Sequence, residues 1–229
     1  MATIPAQAAT PEPLTAARLG LTIPRMKPAT SHPDIRVVKF GGSLLDLPDF
    51  PDRFNRYRAS LPAGQNILML VGGGESADVV RLLHKHFQFD NHDGHWLAIR
   101  AMQFNAHCIA RVLGGQLVEA VESCSPLWQQ GKLTIVDPVA WLQHEETQGI
   151  TIPHRWSFTS DSIAAHIARQ IGASVLTLLK STLPAGPVSA QEASRQGVVD
   201  EDFPAQCEGL PCVELLNLRA DPPAVLRLN

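Results

Sequence analysis

Short apolar runs alternate with amphipathic stretches along most of this 229-residue chain. The runs are rich in Val, Ile and Leu, a composition typical of strands buried on both faces of a sheet. Glycine or proline follows several of them and indicates where each strand ends. We predict strands at residues 35–40, 66–71, 116–121, 133–136, 174–179 and 213–216.

Helical periodicity occupies the segments between the strands, at residues 48–61, 75–87, 95–113 and 160–171. Gly114 can end the third of these helices in a left-handed conformation. Asp137, followed by Pro138, has the cap and first-turn pattern of a further helix start. Because strands alternate with helices, the sequence predicts an α/β fold, a three-layer α/β/α sandwich with a mostly parallel central sheet.

The first 33 residues differ from the rest in being rich in Ala, Pro and Thr. They have neither the charged start nor the apolar core of a signal peptide, and no run long enough to span a bilayer. We expect residues 1–33 to form a flexible extension and residues 34–229 to form one domain.

Composition narrows the range of partners. The formal net charge of −3 provides no global field for binding nucleic acid or an anionic membrane, and we expect neither as a partner. The four cysteines form no paired metal-binding motif, since the spacing of Cys207 and Cys212 is a weak zinc signal. We expect reduced thiols and no dedicated metal site.

Two glycine-rich turns follow predicted strands, Gly-Gly-Ser at 41–43 and Gly-Gly-Gly at 72–74. Without a Cβ, such turns let backbone N–H groups approach phosphate oxygens, and a following helix adds its positive end. A single glycine turn is equally compatible with an ordinary tight turn. Two of them beyond neighbouring parallel strands favour adjacent sites for two anions.

Lysines stand near the carboxyl ends of two predicted strands, at Lys39 and Lys180. Two such ammonium groups can stabilise a phosphoryl group during transfer. The alternative for Lys39 is a surface-pointing side chain on an edge strand. Asp161 could hold both lysines in position, or Ser160 or Asp161 could simply cap the helix that starts there.

Together these segments resemble the amino acid kinase superfamily, which includes acetylglutamate, uridylate and isopentenyl phosphate kinases. The resemblance rests on Lys-Phe-Gly-Gly-Ser at 39–43, the glycines at 72–74, Thr-Ser-Asp-Ser-Ile-Ala-Ala at 159–165 and Leu-Leu-Lys-Ser-Thr at 178–182. The sequence resembles most closely the kinases of aminomethylfuranyl-methyl phosphate in methanofuran synthesis. That likeness rests on His-Trp-Leu-Ala-Ile at 95–99, Trp156, and Gly-Val-Val-Asp at 197–200.

The resemblance implies roles for individual residues and an amino acid kinase fold. By this resemblance, the catalytic residues are Lys39, Asp161 and Lys180. The residues expected to bind ATP and the transferring phosphate are Gly41, Gly42, Ser43, Ser181 and Thr182. The residues expected to bind the acceptor are Gly72, Gly73, Gly74, His95, Trp96 and Ser160. His95 and Trp96 could equally be ordinary packing residues.

The resulting hypothesis is an ATP-dependent cytoplasmic kinase, expected from resemblance to be a homo-oligomer, that converts a small phosphate monoester to a diphosphate. Mg²⁺ is expected to enter with ATP. One alternative is another acceptor, such as isopentenyl phosphate, a nucleotide or a carboxylate. Another is a non-catalytic nucleotide or oxyanion binder, motivated by residues 181–186, which replace the Asp-Val-Asp-Gly-like stretch of most relatives.

Overall fold

A computed structural model describes residues 35–229, so the extension expected at residues 1–33 lies outside the described residues. A seven-stranded sheet runs through this part of the chain in the order β3-β4-β2-β1-β5-β6-β7. The strands are β1 Ile35–Phe40, β2 Asn66–Val71, β3 Gln116–Val118, β4 Thr134–Val136, β5 Val175–Lys180, β6 Val213–Asn217 and β7 Ala224–Arg227. All neighbouring pairs are parallel except β6–β7, which confirms the predicted mostly parallel α/β architecture.

Helices connect the strands and cover the sheet. They are α1 Phe50–Ser60, α2 Gly74–Phe87, α3 Asn91–Leu113, α4 Cys124–Trp128, α5 Pro138–Thr147, α6 Ser160–Gln170, α7 Ala190–Arg195 and α8 Phe203–Cys207. Short 3₁₀ turns occupy Gly42–Leu44 and Val121–Ser123. Within the described residues, no helix combines the length and apolar character needed to cross a bilayer.

Hydrophobic residues form two cores, one on each face of the sheet. On β1, Val38 and Phe40 pack on the side of α1, while Ile35 and Val37 pack on the side of α6. Successive strand residues point to opposite faces, so Lys39 continues the Ile35–Val37 side. The sequence-predicted strands thus lie between the two cores of the described part of the chain.

The helix ends follow the predicted signals closely. Asp137 caps α5 by accepting a hydrogen bond from the Ala140 N–H at 3.1 Å, with Pro138 in the first turn. Gly114 ends α3 with a φ of 65°. By contrast, α3 starts at Asn91 rather than at His95, because the Asp90 side chain caps it through the Asp93 N–H.

Several short elements were not predicted from the sequence, namely α4, α7, α8 and β7. Each of them spans six residues or fewer. Elements of that length give too few repeats for a periodicity to stand out. The strand predicted at 116–121 is also shorter than expected, because the chain leaves the sheet after Val118 and enters a 3₁₀ turn.

The outer faces of α2 and α3 expose large apolar side chains. Leu82, Phe87 and Phe104 are 66%, 61% and 63% exposed. On its inner side α3 instead buries Ile99 and Met102, together with small residues. Helical spacing predicted both helices, and the structure shows which side of each one is buried.

Candidate active site

Three strand ends meet at one edge of the sheet, because β1 lies between β2 and β5. The chain continues from β1 into Gly41, from β2 into Gly72 and from β5 into Ser181. The Gly41 N–H bonds to the Leu179 carbonyl and the Gly72 N–H to the Phe40 carbonyl, which keeps the turns aligned with the strands. The strand order reverses at β1, the position where open parallel sheets bind ligands.

Lys39 and Lys180 contact the same carboxylate from two neighbouring strands. Lys39 Nζ lies 2.9 Å from Asp161 Oδ1, and Lys180 Nζ lies 2.8 Å from Asp161 Oδ2. In the parallel register Lys39 is opposite Leu178, so Lys180 lies two positions further along on the same face. Strand pairing therefore aims both ammonium groups at the start of α6.

All three charged groups are largely removed from water. Burial alone would raise the pKa of Asp161, but the ammonium groups of Lys39 and Lys180 outweigh burial and hold that pKa at about 2. Burial, reinforced by neighbouring Lys39, lowers the pKa of Lys180, and Asp161 opposes that change. Two cations share one anion, which leaves a net positive charge available to a phosphoryl group.

Two alternatives from the sequence are wrong. Lys39 is only 5% exposed on a central strand, so it is not a surface residue of an edge strand. Asp161 and Ser160 do not cap α6, since Thr159 occupies the N-cap position. The carboxylate that serves the start of this helix comes from Asp200.

Asp200 and its neighbours support both Lys180 and the start of α6. Asp200 Oδ2 accepts hydrogen bonds from the N–H groups of Thr159 and Ser162, at 3.1 and 3.0 Å, and from the Thr159 hydroxyl at 2.6 Å. The Val198 carbonyl accepts a hydrogen bond from Lys180 Nζ at 2.6 Å. The Gly-Val-Val-Asp segment therefore positions a lysine and the helix that carries Asp161.

The two glycine turns touch through their backbones. A Cβ on Gly42 would lie 2.2 Å from the Gly74 nitrogen and 2.4 Å from its Cα. Gly74 itself has a φ of +49°, a conformation that side chains disfavour. Glycine is required at both positions, and the two turns form one continuous backbone surface.

Asn105 of α3 secures the second glycine turn from behind. Its side-chain amide donates to the carbonyls of Gly72 and Gly73 at 2.9 and 2.7 Å, and its oxygen accepts from the Ser76 hydroxyl at 3.0 Å. Asn105 is 3% exposed, and its two bonds to the glycine carbonyls are buried. An amide in the middle of an otherwise apolar helix side was the sequence signal for this role.

A cavity of about 280 Å³ opens beside these turns. Nine of the residues expected at the site line it: Lys39, Gly41, Gly42, Ser43, Gly73, Gly74, His95, Ser160 and Lys180. The Ser181 hydroxyl lies 3.2 Å from that of Ser43. Gly72 lies behind the second turn, where Asn105 holds its carbonyl.

Four residues expected to bind ATP or the acceptor do not line the cavity: Gly72, Trp96, Ser181 and Thr182. Trp96 faces a separate surface depression with Phe89 and Arg100, and its ring packs against His154. Trp96 follows His95 on α3, and adjacent helical residues point in directions about 100° apart. Thr182 is exposed and does not line the cavity.

Comparison with known proteins identifies the family to which this chain is similar. Residues 34–182 match the amino acid kinase family. The chain belongs to this family. This kinase is 24% identical over 181 residues to the [5-(aminomethyl)furan-3-yl]methyl phosphate kinase of Methanocaldococcus jannaschii, a match that covers 74% of this chain and 81% of that protein. The resemblance seen in the sequence is thereby confirmed.

Solved structures agree on the fold of the kinase. The UMP kinase of Ureaplasma parvum superposes with a TM-score of 0.61 at 14% identity, over 86% of this chain and 99% of that one. The aspartate kinase of Synechocystis gives 0.61 at 13% identity, over 85% of this chain and 40% of that one. The uridylate kinase of Archaeoglobus fulgidus gives 0.55 at 12% identity, over 86% and 91%.

The kinase centre is suited to phosphate oxygens rather than to a directly bound metal. Both Asp161 oxygens already accept from lysine ammonium groups, so this carboxylate is not available as a Mg²⁺ ligand. Among residues 35–229, no group of three or more His, Cys, Asp or Glu side chains is arranged to hold a metal ion. The Gly41 N–H is used within the sheet, so the backbone N–H groups of Gly42 and Ser43 and the two ammonium groups are the donors that fit phosphate oxygens.

Proposed function

We propose that this kinase transfers the γ-phosphoryl group of ATP to a small phosphate monoester and so forms a diphosphate. The observation that carries this proposal is the pair of ammonium groups, Lys39 and Lys180, held on Asp161 beside two glycine turns in backbone contact. One turn suits the donor phosphates and the other suits the acceptor phosphate. This arrangement supports transfer between two anions.

The chemistry needs little more than positioning and charge neutralisation. An oxygen of the acceptor phosphate forms the new P–O bond, and the bond from the γ-phosphorus to the bridging oxygen of ADP breaks. The attacking oxygen is already anionic at neutral pH, so no general base has to remove a proton. Lys39 and Lys180 stabilise the charge on the phosphoryl oxygens in transit, and Asp161 keeps both lysines in position.

Divalent metal would enter with the nucleotide. Mg²⁺ ordinarily binds the phosphates of ATP, where it withdraws charge from the leaving group. The residues that would face the phosphates are Gly41, Gly42, Ser43 and Ser181, with Thr182 at the exposed edge of the same segment.

For the acceptor we propose [5-(aminomethyl)furan-3-yl]methyl phosphate or a close relative from methanofuran-type cofactor synthesis. The relative from Methanocaldococcus jannaschii supports this choice, as does the aromatic and apolar wall of the cavity, which includes Trp156 and Phe158. Isopentenyl phosphate, a nucleotide and a carboxylate are the competing acceptors within the family.

The test is an acceptor screen with purified kinase, ATP and Mg²⁺. ADP release is followed by a coupled assay, and the product is identified by ³¹P NMR, in which a diphosphate ester gives two coupled signals. We expect acceptor-dependent ADP and a diphosphate from the furan phosphate. ADP formation with a carboxylate acceptor but with no phosphate monoester would contradict the proposal.

We also propose that the kinase acts in the cytoplasm as a homo-oligomer. The exposed apolar side chains on α2 and α3, among them Leu82, Phe87 and Phe104, support self-association. Light scattering coupled to size-exclusion chromatography measures the mass directly. A mass of one chain at micromolar concentration would refute the oligomer.

A further inference from the structure

The wall that α3 contributes to the cavity is apolar except at one residue. His95, Ala98, Ile99 and Met102 line the cavity, at the three- and four-residue spacing of one helix side. Trp156 and Phe158 line it as well. Next to the cationic end at Lys39 and Lys180, the cavity therefore has an apolar wall from α3 that carries a single imidazole.

One nitrogen of this imidazole has no partner inside the protein. His95 is 3% exposed, and its Nε2 atom is buried without a hydrogen bond. Leaving a buried polar atom unpaired destabilises a protein by about 1–3 kcal/mol, and most such atoms are paired in native structures. Because His95 lines the cavity, a bound ligand is the natural partner for Nε2.

The surroundings keep the His95 ring neutral. It stacks on His154 with 4.9 Å between ring centroids. His154 Nε2 lies 2.7 Å from Glu146 Oε1, and His154 Nδ1 lies 2.7 Å from His92 Nδ1, so both His154 nitrogens are engaged. These two contacts hold the His154 ring in place against one face of the His95 ring.

Electrostatics also favour a neutral His95 ring. Burial, followed by His154 and His92, lowers the pKa of His95 to about 4, although a hydrogen bond with the Arg155 backbone opposes the change. Since Nε2 has no partner, the hydrogen bond with the Arg155 backbone is made by Nδ1. A neutral ring that donates from Nδ1 presents a lone pair at Nε2.

We propose that His95 Nε2 accepts a hydrogen bond from an amine or hydroxyl on the body of the acceptor, and that His95 thereby determines acceptor specificity. This inference rests on the proposed function. It selects phosphate monoesters that carry a hydrogen-bond donor and disfavours pure hydrocarbon esters such as isopentenyl phosphate. The arginines that line the cavity, Arg81 and Arg155, are each paired with an aspartate, so their charges do not bar an ammonium group.

Three acceptors that differ in one group provide the test. They are furan-3-ylmethyl phosphates with an aminomethyl, a hydroxymethyl or a methyl group at the 5-position. For the wild-type kinase we expect kcat/KM to be on the order of tenfold or more higher with a donor-bearing acceptor than with the methyl compound. His95→Phe should reduce this ratio to near one, and His95→Gln, which restores an acceptor oxygen, should recover part of it.

The matched control is His84→Phe. His84 Nδ1 is also buried without a partner, and the His84 ring contacts Trp156, but His84 does not line the cavity. We expect this variant to keep the wild-type ratio even if its stability falls. Equal wild-type kcat/KM for all three acceptors, or an unchanged ratio in His95→Phe, overturns the role of His95 but not the proposed function. No diphosphate from any phosphate monoester overturns the proposed function as well.

Discussion

Gly42 and Gly74 lie in direct backbone contact, although they belong to turns that follow different strands. A Cβ on Gly42 would approach the Gly74 nitrogen to 2.2 Å and the Gly74 Cα to 2.4 Å. The obstructing atoms are backbone, so no side-chain rotation can relieve the overlap. The donor and acceptor turns of the proposed transfer are therefore held at a fixed spacing by van der Waals contact.

Gly42→Ala should separate these two turns. We expect kcat/KM to fall on the order of a hundredfold, because small displacements of reacting groups have large effects on rate. The measurement is steady-state ADP release with the furan phosphate.

In the control Gly64→Ala, the new Cβ meets nothing within 4 Å, although φ is +81°. That variant should lose about 1–2 kcal/mol of stability and keep its turnover. Similar turnover losses in both variants would argue against a specific role of the contact.

Lys39→Ala and Lys180→Ala should each lower kcat by about two orders of magnitude or more, since each removes a charge that stabilises the phosphoryl group. Both variants should fold, because Asp161 keeps one ammonium partner in each. Circular dichroism melting checks the fold, and Lys132→Ala, an exposed lysine, serves as the control. Near-normal turnover in both site variants would exclude the assigned roles.

Asp161→Asn should lower turnover by a similar factor, on the scale of lost transition-state stabilisation. It should also change the pH dependence of stability. The pKa of Asp161 lies at about 2 in the folded protein against an ordinary 3.8, so its charge contributes about 2 kcal/mol above pH 4. This contribution is lost as pH falls through about 2.

Urea unfolding between pH 2 and pH 7 tests this linkage. The difference in unfolding free energy between wild type and Asp161→Asn should be largest above pH 4 and should shrink toward pH 2. A constant difference over that range would mean that the Asp161 charge does not contribute to stability. Turnover measured at neutral pH reports the catalytic effect separately.

Asn105→Ala should loosen the second glycine turn. It leaves the carbonyls of Gly72 and Gly73 without their amide donor, which we expect to lower stability by about 1–3 kcal/mol. In the proposed function this turn faces the acceptor, so kcat/KM for the acceptor should fall about tenfold for each 1.4 kcal/mol of lost positioning. Ser76→Ala is the control, since it removes only the hydrogen bond to the Asn105 oxygen. An Asn105→Ala variant with wild-type acceptor kinetics would show that the turn needs no such support.

Local patterns in the sequence determined the central architecture of this kinase. Continuous apolar runs predicted the buried strands, and Asp137 and Gly114 set helix ends through interactions within a few residues. Lysines and glycines at strand ends predicted the edge of the sheet where the site lies. These features can be predicted from the sequence because strand burial, helix caps and turns depend on residues that are close together in the chain.

Only the tertiary structure decided which distant residues meet. The pairing of β1 with β5 brings Lys39 and Lys180 to one carboxylate, and the fold brings Asp200 to the start of α6 and Asn105 to the glycine turn. It also turned Trp96 away from the cavity and left His95 Nε2 unpaired. Such contacts depend on strand order and helix rotation, which arise from long-range packing rather than from any local periodicity.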